Sequence, residues 1–163
     1  VHTNLVQACV SNRQLPRAFG VLETMVKERI QPESRTYAIL IRASISHRHY
    51  DQAAGLLRAA LGLHSAFPAF LADAHTSAVC PNLDFALVNE TLAALADSGR
   101  VQDIASPLLA DIKQYKPKVL IDPNTQRRIV SAGVGQSMQS ESYPWAQRGP
   151  KGNGKGRDSR GYH

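Results

Sequence analysis

The first sixty residues of the chain repeat themselves at an offset of thirty-five, the interval from Thr3 to Ala38. At that offset Leu5 meets Leu40, Val6 meets Ile41, Ala8 meets Ala43, Ser11 meets Ser46, Leu15 meets Tyr50, Ala18 meets Ala53, Val21 meets Leu56 and Leu22 meets Leu57. A short fixed period means that one supersecondary unit is stacked on its own copy. The feature therefore predicts an all-α solenoid of stacked antiparallel helix pairs.

Within each copy the apolar residues keep helical spacing. Leu5, Val6, Ala8, Cys9 and Val10 form a first helix that stops at Ser11, Asn12, Arg13 and Gln14. Leu15 and Pro16 open a second, since proline is tolerated in a first turn, and Ala18, Phe19, Val21, Leu22, Met25 and Val26 continue it until Pro32 closes the unit. The second unit runs from Thr36 and Tyr37 through Ile39, Leu40, Ile41, Ala43 and Ile45, and breaks at Ser46, His47, Arg48 and His49. It resumes with Asp51 as the expected N-cap, carries Ala53, Ala54, Leu56, Leu57, Ala60 and Leu61, and stops at Gly62.

These patterns divide the chain into four parts. Residues 1–63 hold the two clear units, and 64–82, with its prolines and no helical stripe, read as an insertion. Residues 83–132 read as a degenerate third helix pair, Phe85 to Leu95 and Val101 to Ile112, with Thr125 to Ala132 as a capping helix. Residues 133–163, rich in Gly, Ser, Gln, Lys and Arg, are expected to be a disordered basic tail.

The formal net charge of +6 admits nucleic acid or anionic surfaces as partners. No apolar run reaches the roughly 20 residues of a bilayer span. Cys9 and Cys80 lie far apart with no CxxC or Cys/His cluster, so the sequence suggests neither a disulfide framework nor a zinc site, and a reducing compartment is expected. The chain opens at Val1 with no initiator Met or leader, which reads as a fragment or processed form. Asp73, Asp84, Asp97, Asp103 and Asp111 are scattered and suit caps and turns rather than a two-metal site. His47 and His49 flank Arg48 in a solvated turn with no further ligand at metal spacing. No constellation supports an enzyme, a cofactor or a metal. Phe67, Phe70 and Leu71 of the insertion suit either a partner patch or a cover over the second helix pair.

The stretch from Ile30 through Pro32 to Thr36, Tyr37, Leu40 and Ile41, with Ala8, Ala18, Ala43 and Ala53 in the helices and Met25 late in the second, resembles the pentatricopeptide repeat. The tetratricopeptide repeat has nearly the same length, but its Trp and Gly-Tyr signals are missing from both units. The resemblance implies non-catalytic binding of single-stranded RNA in processing, stability or translation, in a mitochondrion or chloroplast, at one base per unit. It assigns base contact to Thr3 and Glu33 in the first unit and Ala38 in the second, with Arg35 sandwiching a base. Thr3 with Glu33 departs from the family's usual Asp by one methylene, and Ala38 offers no hydrogen bond. Arg148, Lys151, Lys155, Arg157 and Arg160 in the tail, behind Tyr143 and Trp145, suit phosphate contact. The alternative is a helical-repeat scaffold whose groove holds a protein partner in a larger assembly.

Overall fold

The computed structural model describes residues 1–64, 68 and 78–139, with side chains to residue 132. Seven α-helices and no strand occur among them: α1 (His2–Ser11), α2 (Leu15–Lys27), α3 (Ser34–Ser46), α4 (Tyr50–Leu61), α5 (Phe85–Asp97), α6 (Ser106–Tyr115) and α7 (Pro123–Gln139). The fold is all-α, as the periodicity predicts.

The repeat is visible in how the helices end. At the end of α1, Gln14 N–H donates to the Cys9 carbonyl and Arg13 N–H to that of Val10; at the end of α3, His49 N–H donates to Ser44 and Arg48 N–H to Ile45. This paired closure satisfies carbonyls that a helix end leaves orphaned, and it requires one residue in the left-handed region. Arg13 (φ 57°) and Arg48 (φ 60°) take that conformation, as does Arg29 (φ 57°) after α2. After α4 and α5 the usual glycine serves: Gly62 has φ 75° and Gly99 φ 76°, and a Cβ on Gly62 would stand 3.2 Å from Val79 Cγ2. The expected stop at Gly62 is observed.

Asp51, expected as the N-cap of α4, is not the cap. The turn at Arg48 feeds directly into a helix that starts at Tyr50, so His49 occupies the cap position and Asp51 lies in the first turn. Its exposed carboxylate accepts from Arg100 Nη2 at 3.3 Å instead. A true side-chain cap occurs at Asp84, whose carboxylate accepts from Ala86 N–H at 2.9 Å and whose own N–H donates to Ser34 Oγ.

Packing follows the pairing of helices. The helices α1 and α2 pack on each other and on α3, while α3 and α4 pack on each other and on α5. A π-helical turn, Val101–Ala105, then leads into α6; Pro107 supplies no N–H at the start of that helix, and Ala105 N–H reaches back to the Arg100 carbonyl five residues away. Helix α7 covers α5, α6 and the π turn, burying Thr125 and Ile129. The sequence places the end of this helix at Ala132, yet the backbone continues helical past Gly133 to Gln139. Gly133 and Gly135 weaken helix propensity but do not by themselves end a helix already nucleated by its packed first turns.

One apolar cluster runs from Val6 through Leu22, Tyr37, Leu40, Leu56 and Leu92 to Ile129. The repeat equates Leu5 with Leu40 and Ala8 with Ala43, but burial does not follow. Leu40 is fully buried against its neighbours, whereas Leu5 is 50% exposed. Helix α3 has α1 and α2 beside it, and among the described residues no helix lies on the corresponding side of α1.

The end of the 64–82 segment is integral to the core. Ala78 and Cys80 are buried, Cys80 N–H donates to the Ala60 carbonyl, Gln31 Nε2 donates to the Val79 carbonyl, and the buried Tyr37 hydroxyl donates to the Ala78 carbonyl at 2.5 Å. Phe67, Phe70 and Leu71 lie outside the described residues.

Candidate nucleic-acid interface

The residues singled out for base contact gather at the start of α3, with different freedom. Thr3 Oγ1 lies 2.9 Å from Thr36 Oγ1, and Thr36 is completely buried, so the Thr3 hydroxyl ties α1 to α3. Glu33 stands exposed at the cap position of α3, where its carboxylate caps nothing. Arg35, in the first turn of α3, is exposed and makes no ion pair among the described residues. Ala38 is half-buried and packed against the core. The tail residues Arg148, Lys151, Lys155, Arg157 and Arg160 lie outside the described residues.

Helical spacing extends this surface beyond what sequence reasoning named. Arg35, Ala38 and Arg42 follow one another at i, i+3 and i+7 along α3. Arg42 is held in a fork to Glu90 of α5, its Nε donating to Oε1 and its Nη2 to Oε2, each at 2.9 Å. That hydrogen bond and the adjacent negative charge raise the guanidinium pKa further above its ordinary value. Arg42 was missed because its partner lies far along the chain in the degenerate unit. Asn89 was missed for the same reason: its side chain donates to the Phe85 and Leu120 carbonyls and accepts from Asp122 N–H, fastening the connection between α6 and α7 to α5.

Behind the α3 N-terminus a small groove of about 180 Å³ is lined by Gln31, Pro32, Glu33, Ser34, Cys80 and Asn82. Burial is the main cause pushing the Cys80 thiol pKa up, with the Glu33 carboxylate adding to it against a hydrogen bond from the Asn82 backbone. The Tyr37 hydroxyl is likewise pushed well above its ordinary range, mainly by burial and secondarily by Cys80. Both groups are held in their neutral forms and serve packing.

The remaining arginines among the described residues divide into two sets. Arg58 pairs with Asp111 at 2.5 Å, Arg100 with Asp51 and Asp103, and Arg128 with Asp97, all acting as joints between elements or within a turn. Arg13, Arg17, Arg29, Arg35, Arg48 and Arg127 make no ion pair among the described residues and sit at or near helix ends. His47 and His49 stay exposed in their turn. Among the described residues no group of three or more His, Cys, Asp or Glu side chains could hold a metal ion, and no helix is long and apolar enough to cross a membrane.

Comparison with protein-family models, with curated proteins and with solved structures yields no match for this chain.

Proposed function

We propose that the chain is a helical-repeat module of pentatricopeptide type that binds single-stranded RNA without catalysing a reaction, in organellar RNA processing, stability or translation. The observation that carries the reading is the internal repeat, whose two copies share packing residues and the same left-handed arginine closure at Arg13 and Arg48. Exposed arginines without carboxylate partners among the described residues, Arg35 foremost, supply phosphate and stacking contacts that are indifferent to sequence. With the Thr3 hydroxyl engaged by Thr36 and Ala38 lacking a polar group, affinity comes from the backbone of the strand more than from its bases. The module contacts a few nucleotides and works within a longer array or a larger assembly.

The second reading, a scaffold for a protein partner, is favoured by one observation: Leu5 and Ala8 lie open on α1 where the equivalent Leu40 and Ala43 are covered by helices. The two are separated by titrating labelled single-stranded RNA at several salt concentrations. The comparison is between the full chain and a full-length variant with Arg148, Lys151, Lys155, Arg157 and Arg160 changed to Gln. RNA binding by both proteins, with log affinity falling against log salt by about 0.7 per phosphate contacted, supports the groove. Binding lost with the tail charges assigns it to the tail, and no binding at low salt by either protein sinks the RNA reading.

A further inference from the structure

The turn between α1 and α2 and the turn between α3 and α4 are the same loop in two copies, and a cleft of about 450 Å³ opens between them. This volume falls in the range of small-ligand sites. Arg13 and the first turns of α2 form one wall, with Pro16 and Phe19, and His47, His49 and Gln52 form the other. No carboxylate lines the cleft among the described residues. Among the described residues Arg13 makes no ion pair, and the rings of His47 and His49 stack with centroids 6.3 Å apart and planes inclined by 26°. The nearby acid Asp51 is turned to Arg100. Helix α2 also opens here with neither a side-chain cap nor an acidic residue in its first turn.

Two kinds of surface thus meet: a ring-bearing rim with the Arg13 cation and no carboxylate among the described residues, and an apolar floor. Solvated inter-helix turns need neither. Arg13 is moreover held with φ 57°, a conformation costly for any residue with a Cβ, while its side chain makes no ion pair among the described residues. A phosphate matches the rim in charge, and a flat heterocycle matches Pro16, Phe19 and the stacked imidazoles.

We propose that this cleft seats one phosphorylated nucleotide, its phosphate against Arg13 and the His47–His49 pair and its base against Pro16 and Phe19. The proposal rests on the RNA reading for the source of that nucleotide, a single strand running along the turn edge of the stack as well as past Arg35. A free mononucleotide presents the same chemistry and is the other source.

Both sources are tested on the full chain. Anisotropy of a labelled oligouridylate at low salt is measured for the wild type, for the triple variant Arg13→Gln/His47→Gln/His49→Gln, for Arg13→Lys, and for Arg29→Gln, which removes a cation outside the cleft. The imidazole resonances of His47 and His49 are followed by NMR during titration with uridine monophosphate. The triple variant is expected to weaken oligonucleotide binding roughly tenfold, Arg13→Lys less, and Arg29→Gln less than about twofold. Circular dichroism melts confirm that the variants, altered only at surface positions, stay folded. RNA binding that the triple variant retains, or that Arg29→Gln weakens equally, overturns the cleft and leaves the RNA reading standing. Imidazole shifts with uridine monophosphate in a chain that binds no oligonucleotide keep the cleft as a mononucleotide site and overturn the RNA reading.

Discussion

Arg29 occupies a backbone conformation that favours glycine and has no ion pair among the described residues. The left-handed state costs an L-residue about 1–2 kcal/mol, partly offset by the extra entropy that a glycine loses on folding. Arg29→Gly is therefore expected to stabilise the chain by about 0.5–1 kcal/mol in urea unfolding, and Gly62→Ala to destabilise it by about 1–2 kcal/mol because Val79 must also give way. The turns at Arg13 and Arg48 were legible as polar breaks and the stop at Gly62 as a glycine, but that an arginine takes positive φ was not, because arginine carries no turn signal of its own. Ser44 gives a contrasting case: its hydroxyl is buried and has no hydrogen-bond partner among the described residues, so Ser44→Ala should be neutral or stabilising in the same assay. At Cys80 and Tyr37 the raised pKa values set a direction for pH. The folded state holds protons that the unfolded thiol and phenol release, so this stability is complete below the ordinary thiol range and declines as pH rises through and above it. Urea midpoints should fall between neutral and alkaline pH, and Cys80→Ala should flatten that fall; an unchanged slope in the variant would sink the assignment.

At the scale of the helix, periodicity told nearly everything about existence and little about ends. The boundaries of α2 and α5 follow their apolar stripes closely, whereas α4 begins at Tyr50 because a closure bond set its start before Asp51 could act as a cap. Asp84 is the cap that the pattern supports, and it is doubly tied through Ser34. Asp84→Ala is expected to cost about 1 kcal/mol, read by thermal or urea unfolding. In the third pair a π turn at Val101–Ala105 stands ahead of Pro107, yet Val101, Ile104, Ala105, Leu108, Leu109 and Ile112 are all buried, so the apolar stripe keeps its spacing through the turn. Thr3 shows a different limit of sequence reading: the repeat resemblance assigns it base contact, but whether its hydroxyl is free depends on Thr36, a neighbour only in the folded chain.

Across the molecule, the two junctions between helix pairs are built differently. The first and second pairs meet through apolar packing and the Thr3–Thr36 contact, while the second and third are also joined by Arg42–Glu90, Arg58–Asp111 and Arg100–Asp51. The exposed pairs Arg42–Glu90 and Arg100–Asp51 contribute about 0–1 kcal/mol each, while Arg58–Asp111 is partly buried. Helix α1 has Val6 as its sole buried residue, whereas α4 is buried along almost its whole length from Ala53 to Leu61. Local opening should follow that gradient. Native-state hydrogen exchange is expected to find the α1 amides least protected among the helices and those of α4 among the most; equal protection would contradict the burial pattern.

The arginine closures also define an interchangeable part. Because the chain leaves Arg13 and Arg48 in the same backbone state, the segment from Gln14 to Arg48 begins and ends in phase with itself. A tandem copy of that segment inserted after Arg48 would meet the same turn geometry at both splices. Lengthening the array, by gene duplication or by design, then requires no new loop.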